Sequence, residues 1–254
     1  MNTYEKLNEI RQRRGTGYVV LIDPDKTDPA THPRFVEQAT EAGVDAFFIG
    51  GSLMLRDQFE DILRRTKEAT PLPVIIFPGS LFQVSAIADA ILFLVLVSGR
   101  NPDHLIGNQV TAAPLIKASG LETISTAYML VEGGSTTSAE FMSNTKPIPR
   151  NKPDIAVAHS LAAEMIGMKM LYFDAGSGAD RHVSEEMIGA VSKYSSLPII
   201  VGGGIRTAET AGAVAQAGAS FVVTGNITEV NRDDGFLRDI ANAVHASASV
   251  KQST

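Results

Sequence analysis

The segment Asp23-Pro24-Asp25-Lys26 sets a carboxylate on each side of a proline, with a cation directly after the second. Ser52 ends another short polar stretch, Gly50-Gly51-Ser52. Carboxylate and hydroxyl oxygens of this kind suit Mg²⁺, which keeps several waters and takes one or two protein carboxylates beside substrate phosphates. The plainer use of the same residues is an Asp-Pro turn that caps a helix, with Lys26 a solvated loop cation. Arg100, in Ser98-Gly99-Arg100-Asn101, offers a planar fork that fits a diphosphate. Further on, the apolar run ending Tyr172-Phe173 meets Asp174 and then dissolves into Ala175-Gly176-Ser177-Gly178. Glycine clusters recur at Gly202-Gly203-Gly204 and in Thr224-Gly225-Asn226. Glycines let backbone N–H groups approach an anion, and helix N-termini add their dipoles, so three such clusters point to a phosphorylated ligand. Tight turns between strand and helix are the other use for the same glycines.

These polar stretches all stand at the ends of apolar runs. The runs are Tyr18–Asp23, Ala46–Gly51, Val74–Gly79, Ala90–Val97, Ile124–Val131, Met170–Gly176, Ile199–Ile205 and Phe221–Asn226. They are continuous rather than alternating, as strands covered on both faces of a parallel sheet must be. Helical patterns lie between them, at Pro33–Ala42, Leu53–Glu68, Pro102–Ala118, Pro153–Met168, Ser184–Lys193, Ala208–Ala217 and Asp233 to about His245. Pro153 sits near a helix start, and Gly43 and Gly218 sit just past helix ends.

Eight strand–helix repeats predict a single α/β domain over residues 1–254, a (β/α)8 TIM-type barrel. One repeat is short. Only Ser80–Asp89 separates the third and fourth runs, so the third helix is expected to be missing or replaced by a loop. The stretch Glu132–Phe141, rich in Gly, Ser and Thr, reads as a flexible loop within the barrel.

Composition narrows the function. A net charge of −6 argues against nucleic acid, whose phosphates need a basic face. With no cysteine there are no disulfides, thiolate metal sites or cysteine nucleophiles, which fits a cytoplasmic protein. The N-terminal Met1–Gly15 is charged throughout and lacks the apolar core of a signal peptide. The longest apolar run, Ala90–Val97, is too short to span a bilayer, so any membrane contact is peripheral. Of the five histidines, none falls at a strand end and no pair has metal-ligand spacing.

In a barrel of this class the chemistry collects at the C-terminal ends of the strands, and the loops after strands seven and eight form the usual phosphate cradle. Here those loops read Gly202-Gly203-Gly204-Ile205-Arg206-Thr207 and Thr224-Gly225-Asn226. With the acidic front at Asp23, the mouth holds two anion sites, enough for two phosphorylated substrates or one long bisphosphate.

Taken together, LIDPDK, FIGGS, FPGS, SGRNPDHLIG, PIPRNKP, GMKMLYFDAGSGA, VGGGIRT and VTGN resemble the geranylgeranylglyceryl phosphate synthase family, which includes the bacterial PcrB proteins. The likeness runs in order from about Tyr18 to Asn226, and SGRNP and PIPRNKP are similar to the family's longer second group. The resemblance implies a Mg²⁺-dependent prenyltransferase that joins sn-glycerol 1-phosphate to a polyprenyl diphosphate, most often geranylgeranyl diphosphate. The products are an ether-linked lipid and diphosphate. It implies a barrel whose third helix is missing or replaced, and a homodimer or higher homo-oligomer. It places Mg²⁺ at Asp23 and Ser52. Glycerol phosphate falls along Tyr172, Phe173, Asp174, Ala175, Gly176, Ser177 and Gly178, at Gly203 and Gly204, and at Gly225 and Asn226.

Diphosphate then falls to Arg100 and Lys26, and Asp174 is the candidate that accepts or orients the proton of the attacking hydroxyl. A dry groove for the prenyl tail is expected beside Phe77-Pro78 and the sparse third segment, with Tyr128 and Met129 as core or groove lining. Two residues depart from the family pattern. Asp174 stands where glutamate is usual, and Gln109 where a histidine is expected. Two other readings stay open: a phosphosugar isomerase or cyclase using Asp23 and Asp174 as an acid–base pair, and a phosphometabolite-binding barrel without catalysis.

Overall fold

The computed structural model describes residues 1–225 and 234–246. Eight parallel strands close on themselves in sequence order. They are β1 (Gly17–Ile22), β2 (Ala46–Ile49), β3 (Val74–Ile76), β4 (Ala90–Leu96), β5 (Glu122–Leu130), β6 (Met170–Asp174), β7 (Ile199–Gly202) and β8 (Phe221–Thr224). β8 pairs back onto β1 with Val20 opposite Thr224, so no edge is left open. Outside lie α1 (Thr3–Arg14), α2 (His32–Ala42), α3 (Phe59–Ala69), α4 (Asn108–Ser119), α5 (Ser138–Ser143), α6 (Pro153–Met165), α7 (Glu185–Tyr194), α8 (Ala208–Gln216) and α9 (Asp234–His245). A single π-helical turn, Asp103–Gly107, leads into α4.

Strand alternation divides the core into two layers. Val19, Phe48, Ile75, Leu92, Tyr172, Ile200 and Val223 fill the barrel interior. Phe47, Ile49, Ile76, Leu171, Phe173 and Val201 face outward and pack against Val36, Ile62, Leu63, Met187, Val214 and Leu237 of the helices. Helix α1, absent from the sequence expectations, plugs the lower end of the barrel with Leu7 and Ile10. Its first turn is capped twice. Asn2 and Glu5 form a capping box, and the Glu122 carboxylate of β5 accepts from Thr3 N at 2.6 Å and Tyr4 N at 3.0 Å.

No helix lies between β3 and β4. In its place the connection is held by side chains of its own. Gln83, 1% exposed, donates to Gly51 O at 2.8 Å and accepts from Gly51 N and Gly79 N, both at 3.3 Å. At the far end, the Asp89 carboxylate accepts from Val74 N at 2.8 Å and from Lys67 Nζ at 2.8 Å.

Two expected elements differ. Helix α3 begins at Phe59 rather than Leu53, because Asp25 accepts from Leu55 N and Arg56 N and Gln58 Nε2 donates to Thr27 O, which holds residues 53–58 as a loop. The Glu132–Phe141 stretch is not all loop. Thr137 accepts from Glu140 N at 3.3 Å and so starts α5.

If Asp89 pins the helix-free connection, Asp89→Ala should lower stability by about 1–3 kcal/mol through the unpaired Val74 N–H and the released Lys67. A urea midpoint equal to wild type would show that the connection holds without it.

Candidate functional site

The C-terminal strand ends enclose a mouth cavity of about 630 Å³, lined among others by Asp23, Lys26, Ser52, Tyr172, Asp174, Ser177, Gly203, Gly204, Arg206 and Gly225. A second cavity, of about 180 Å³, runs down the side between β4 and α4. It is walled by Leu81, Val84, Ile91, Leu92, Phe93, Leu94, Leu96, Ala112 and Ile116, in the gap left by the absent helix. The two share Gly51, Ser52, Phe77, Tyr128 and Ala139. Their common wall is a set of stacked rings: Phe77 lies on Tyr172 with centroids 4.9 Å apart at 10°, and Tyr128 tilts against Tyr172 at 5.5 Å.

Asp174 is the last residue of β6, and its alternation with Phe173 turns it into the barrel. Its Oδ2 accepts from the Tyr128 hydroxyl at 2.6 Å and its Oδ1 from Gly176 N at 2.7 Å. Burial pushes the carboxyl above its ordinary value, against the opposing pull of those two hydrogen bonds. Burial first, and then the Asp174 charge, raises both Tyr128 and Tyr172 well above the usual phenol range, so both stay protonated donors. Tyr128 comes from β5, opposite Tyr172 in register. Sequence reasoning left it as core or lining because no motif marks a tyrosine whose partner lies 46 residues away.

Behind Asp174 lies the glycine cradle. Gly203, at φ +82°, passes so close that a Cβ there would lie 2.6 Å from Gly176 N and 2.7 Å from Asp174 Oδ1. The two glycine loops thus press together, with Gly204 and Gly225 on the cavity wall. Arg206, which the sequence reading left unassigned within GGGIRT, also lines this side and donates to Ala179 O at 2.8 Å. Its position two residues after the glycines was the available signal.

At the front, Asp23 caps a one-turn 3₁₀ helix, Pro24–Lys26. Its Oδ1 accepts from Asp25 N at 3.1 Å, and its Oδ2 lies 3.2 Å from Lys26 Nζ. Gly51 packs flat against this carboxylate, since a Cβ there would fall 2.9 Å from Asp23 Oδ1. That brings the Gly50-Gly51-Ser52 strand end beside Asp23, while Asp25 is spent on Leu55 N and Arg56 N. One carboxylate and one neighbouring hydroxyl on the wall of an open cavity make a hard-oxygen donor set for a cation that keeps its waters, so the residues present fit Mg²⁺. Among the described residues no cluster of three or more His, Cys, Asp or Glu could hold a metal by protein ligands alone.

Several expected site residues are placed elsewhere. The side chains of Phe173 and Ala175 belong to the outer core, 1% and 2% exposed, because strand alternation turns them away from the mouth. Arg100 lines neither cavity. The turn after β4 directs its guanidinium onto Gly99 O at 2.7 Å and to within 3.5 Å of His159 Nε2 on α6. Asn226 lies outside the described residues. Gln109, by contrast, stands in the side-groove wall and donates to Leu94 O at 2.5 Å and His104 O at 3.1 Å.

A parallel barrel with a glycine cradle after its last strands, an acidic front and an apolar side groove is a phosphate-ester enzyme of the (β/α)8 class. Residues 8–244 match the profile of the PcrB family, and the chain belongs to it. It is 46% identical over 246 residues to the geranylgeranylglyceryl phosphate synthase of Chitinophaga pinensis, across 96% of this chain and 97% of that one. The synthase of Methanosphaera stadtmanae is 40% identical over 96% of this chain and its own full length. The crystal structure of (S)-3-O-geranylgeranylglyceryl phosphate synthase from Thermoplasma acidophilum, in complex with its substrate sn-glycerol-1-phosphate, superposes with a TM-score of 0.91. The two are 35% identical, over 97% and 99% of the two chains.

A methyl at position 203 cannot be placed without parting the two glycine loops. Gly203→Ala should therefore weaken binding of a phosphate ester or inorganic phosphate at the mouth by at least about tenfold, read by calorimetry, with the circular dichroism spectrum unchanged. Undiminished affinity would take the phosphate away from this cradle.

Proposed function

We propose that this enzyme transfers a polyprenyl group, most often geranylgeranyl, from its diphosphate to the free hydroxyl of sn-glycerol 1-phosphate. The allylic carbon–oxygen bond to diphosphate breaks, an ether bond to the glycerol oxygen forms, and the hydroxyl proton leaves to a base. The observation that carries this reading is the junction of the two cavities. A polar mouth meets an apolar groove at Ser52, Phe77 and Tyr128, which suits a reaction between a water-soluble phosphate ester and a long hydrocarbon. The relatives named geranylgeranylglyceryl phosphate synthase support the same assignment.

Glycerol phosphate is assigned to the back of the mouth, its phosphate on the backbone of Gly176–Gly178, Gly203, Gly204 and Gly225, with Arg206 at the edge. Asp174 then faces the glycerol hydroxyls. With Oδ2 fixed by Tyr128 and Oδ1 by Gly176, it holds the attacking hydroxyl by a remaining lone pair and receives its proton. A burial-raised carboxyl is a stronger base than a surface aspartate. The diphosphate is assigned to the front, near Asp23, Ser52 and Lys26. Mg²⁺ held there by Asp23 and Ser52 would offset charge on the leaving diphosphate. Lys26, already 3.2 Å from Asp23, adds a cation to the same side. The prenyl chain is assigned to the groove, which excludes water from it.

An isomerase or cyclase would use Asp23 and Asp174 as a proton-shuttling pair and would leave the apolar groove without purpose. Self-association is proposed through α4, whose Val110 and Leu115 are 64% and 62% exposed and unlike a solvent-facing helix surface.

Asp23→Ala should abolish lipid-phase product from labelled glycerol phosphate, Mg²⁺ and prenyl diphosphate while leaving glycerol-phosphate binding intact; loss of that binding would refute the front-and-back division. Tyr128→Phe removes a bond that favours the ionised Asp174. Its carboxyl therefore rises further, and the acid limb of the pH–rate profile should move to higher pH. An unmoved limb would mean that Asp174 is not the titrating base.

A further inference from the structure

Two buried side-chain atoms have no hydrogen-bond partner among the described residues, Arg14 Nε and Gln109 Oε1. Arg14 Nε lies 3.7 Å from an Asp45 oxygen, so an opposite charge answers it. Gln109 Oε1 remains. Its residue is 8% exposed and forms part of the side-groove wall. The amide cannot be turned over, because Nε2 already faces the carbonyl oxygens of Leu94 and His104, and an oxygen in that place would meet two more. A buried acceptor without a donor costs free energy, and one in a cavity wall marks where the cavity's occupant supplies the donor.

The groove around it is two-sided in chemistry. β3 pairs with β4 only at Ile75–Ala90 and Ile76–Ile91, while β4 stays paired with β5 up to Leu96. Gln109 reaches Leu94, above the point where β3 and β4 part. His104 and Asn108 line the groove beside it, with Asn108 Nδ2 3.5 Å from His104 Nδ1. Farther along α4, Ala112 and Ile116 line it with Ile91, Leu92 and Val84. The groove is thus polar toward the mouth and apolar below. Among the described residues that line it there is no lysine, arginine or carboxylate. An ammonium head would be buried here without a counter-ion. A phosphate would set its oxygens against Oε1 with no lysine or arginine to hold them. The head that fits is neutral and donates one hydrogen bond, and the body that fits is hydrocarbon.

We propose that the groove binds an uncharged long-chain alcohol, whose hydroxyl donates to Gln109 Oε1 while its hydrocarbon runs down past Ala112 and Ile116. Such an alcohol excludes any other chain from the groove while it is bound. This ligand is distinct from the two transfer substrates, and its binding is read without turnover.

By calorimetry, a short prenyl alcohol should bind wild type at least about tenfold more tightly than its methyl ether, which has the same oxygen but no proton to donate. Gln109→Met keeps the side chain's length and removes the acceptor, so the preference for alcohol over ether should vanish. Ala112→Leu fills the groove and should abolish binding of both. Inorganic phosphate should bind at the mouth of each variant as in wild type, which separates a lost site from a lost fold. Equal binding of alcohol and ether by wild type would leave Oε1 to an ordered water only and overturn the proposal. So would a preference that survives Gln109→Met, alcohol binding that survives Ala112→Leu, or no alcohol binding at all. If a variant fails the phosphate control, the comparison of alcohol with ether on wild type still decides.

Discussion

Closing eight parallel strands into a ring fixes which way every side chain near a strand end points. With β8 bound back to β1, the register of one pair constrains the next, and a one-residue slip would turn the inner layer outward. Asp174 faces the mouth because Tyr172 faces the interior, and Tyr128 meets it because β5 sets Tyr128 opposite Tyr172. The carboxylate, its phenol donor and the glycine loop behind it are thus one consequence of strand pairing. The same rule sends Phe173 and Ala175 to the helices, although they flank the carboxylate in sequence.

The absent third helix has a structural counterpart. Without it, an apolar trough walled by β4, α4 and the β3–β4 connection opens beside the mouth. Gln83 ties the connecting loop to Gly51, and Asp89 ties its end to Val74 and Lys67. Two polar side chains therefore do the positional work of a helix while leaving the trough clear. Because Gln83 grips Gly51, next to Ser52, the groove wall and the front of the mouth are mechanically one piece.

The barrel was legible in the sequence because parallel strands buried on both faces leave continuous apolar runs, and the glycine clusters follow those runs. The short Ser80–Asp89 spacing foretold the missing helix. Asp174 and Asp23 stand out in the sequence because a carboxylate at the end of an apolar run is conspicuous, and both line the mouth cavity. What stayed hidden depends on partners distant in sequence. Tyr128 looks like any strand aromatic until its hydroxyl meets Asp174, and Gln83 looks like a loop residue until it is buried against Gly51. Arg100 shows the converse: the motif places it after a strand, but the turn there points it toward α6. Helix α1 was missed because its polar, charged sequence has almost no apolar periodicity, and its buried apolar residues are only Leu7 and Ile10.

The double cap on α1 bears on how the floor of the barrel is held. The first turn of this helix is completed by Glu122, which follows Thr3 by 119 residues. Helix α1 therefore has one cap from its own neighbours and a second that only a β5 in place can supply. The floor of the barrel is thereby tied to the middle of the sheet, so that loosening β5 would also loosen the plug that Leu7 and Ile10 form.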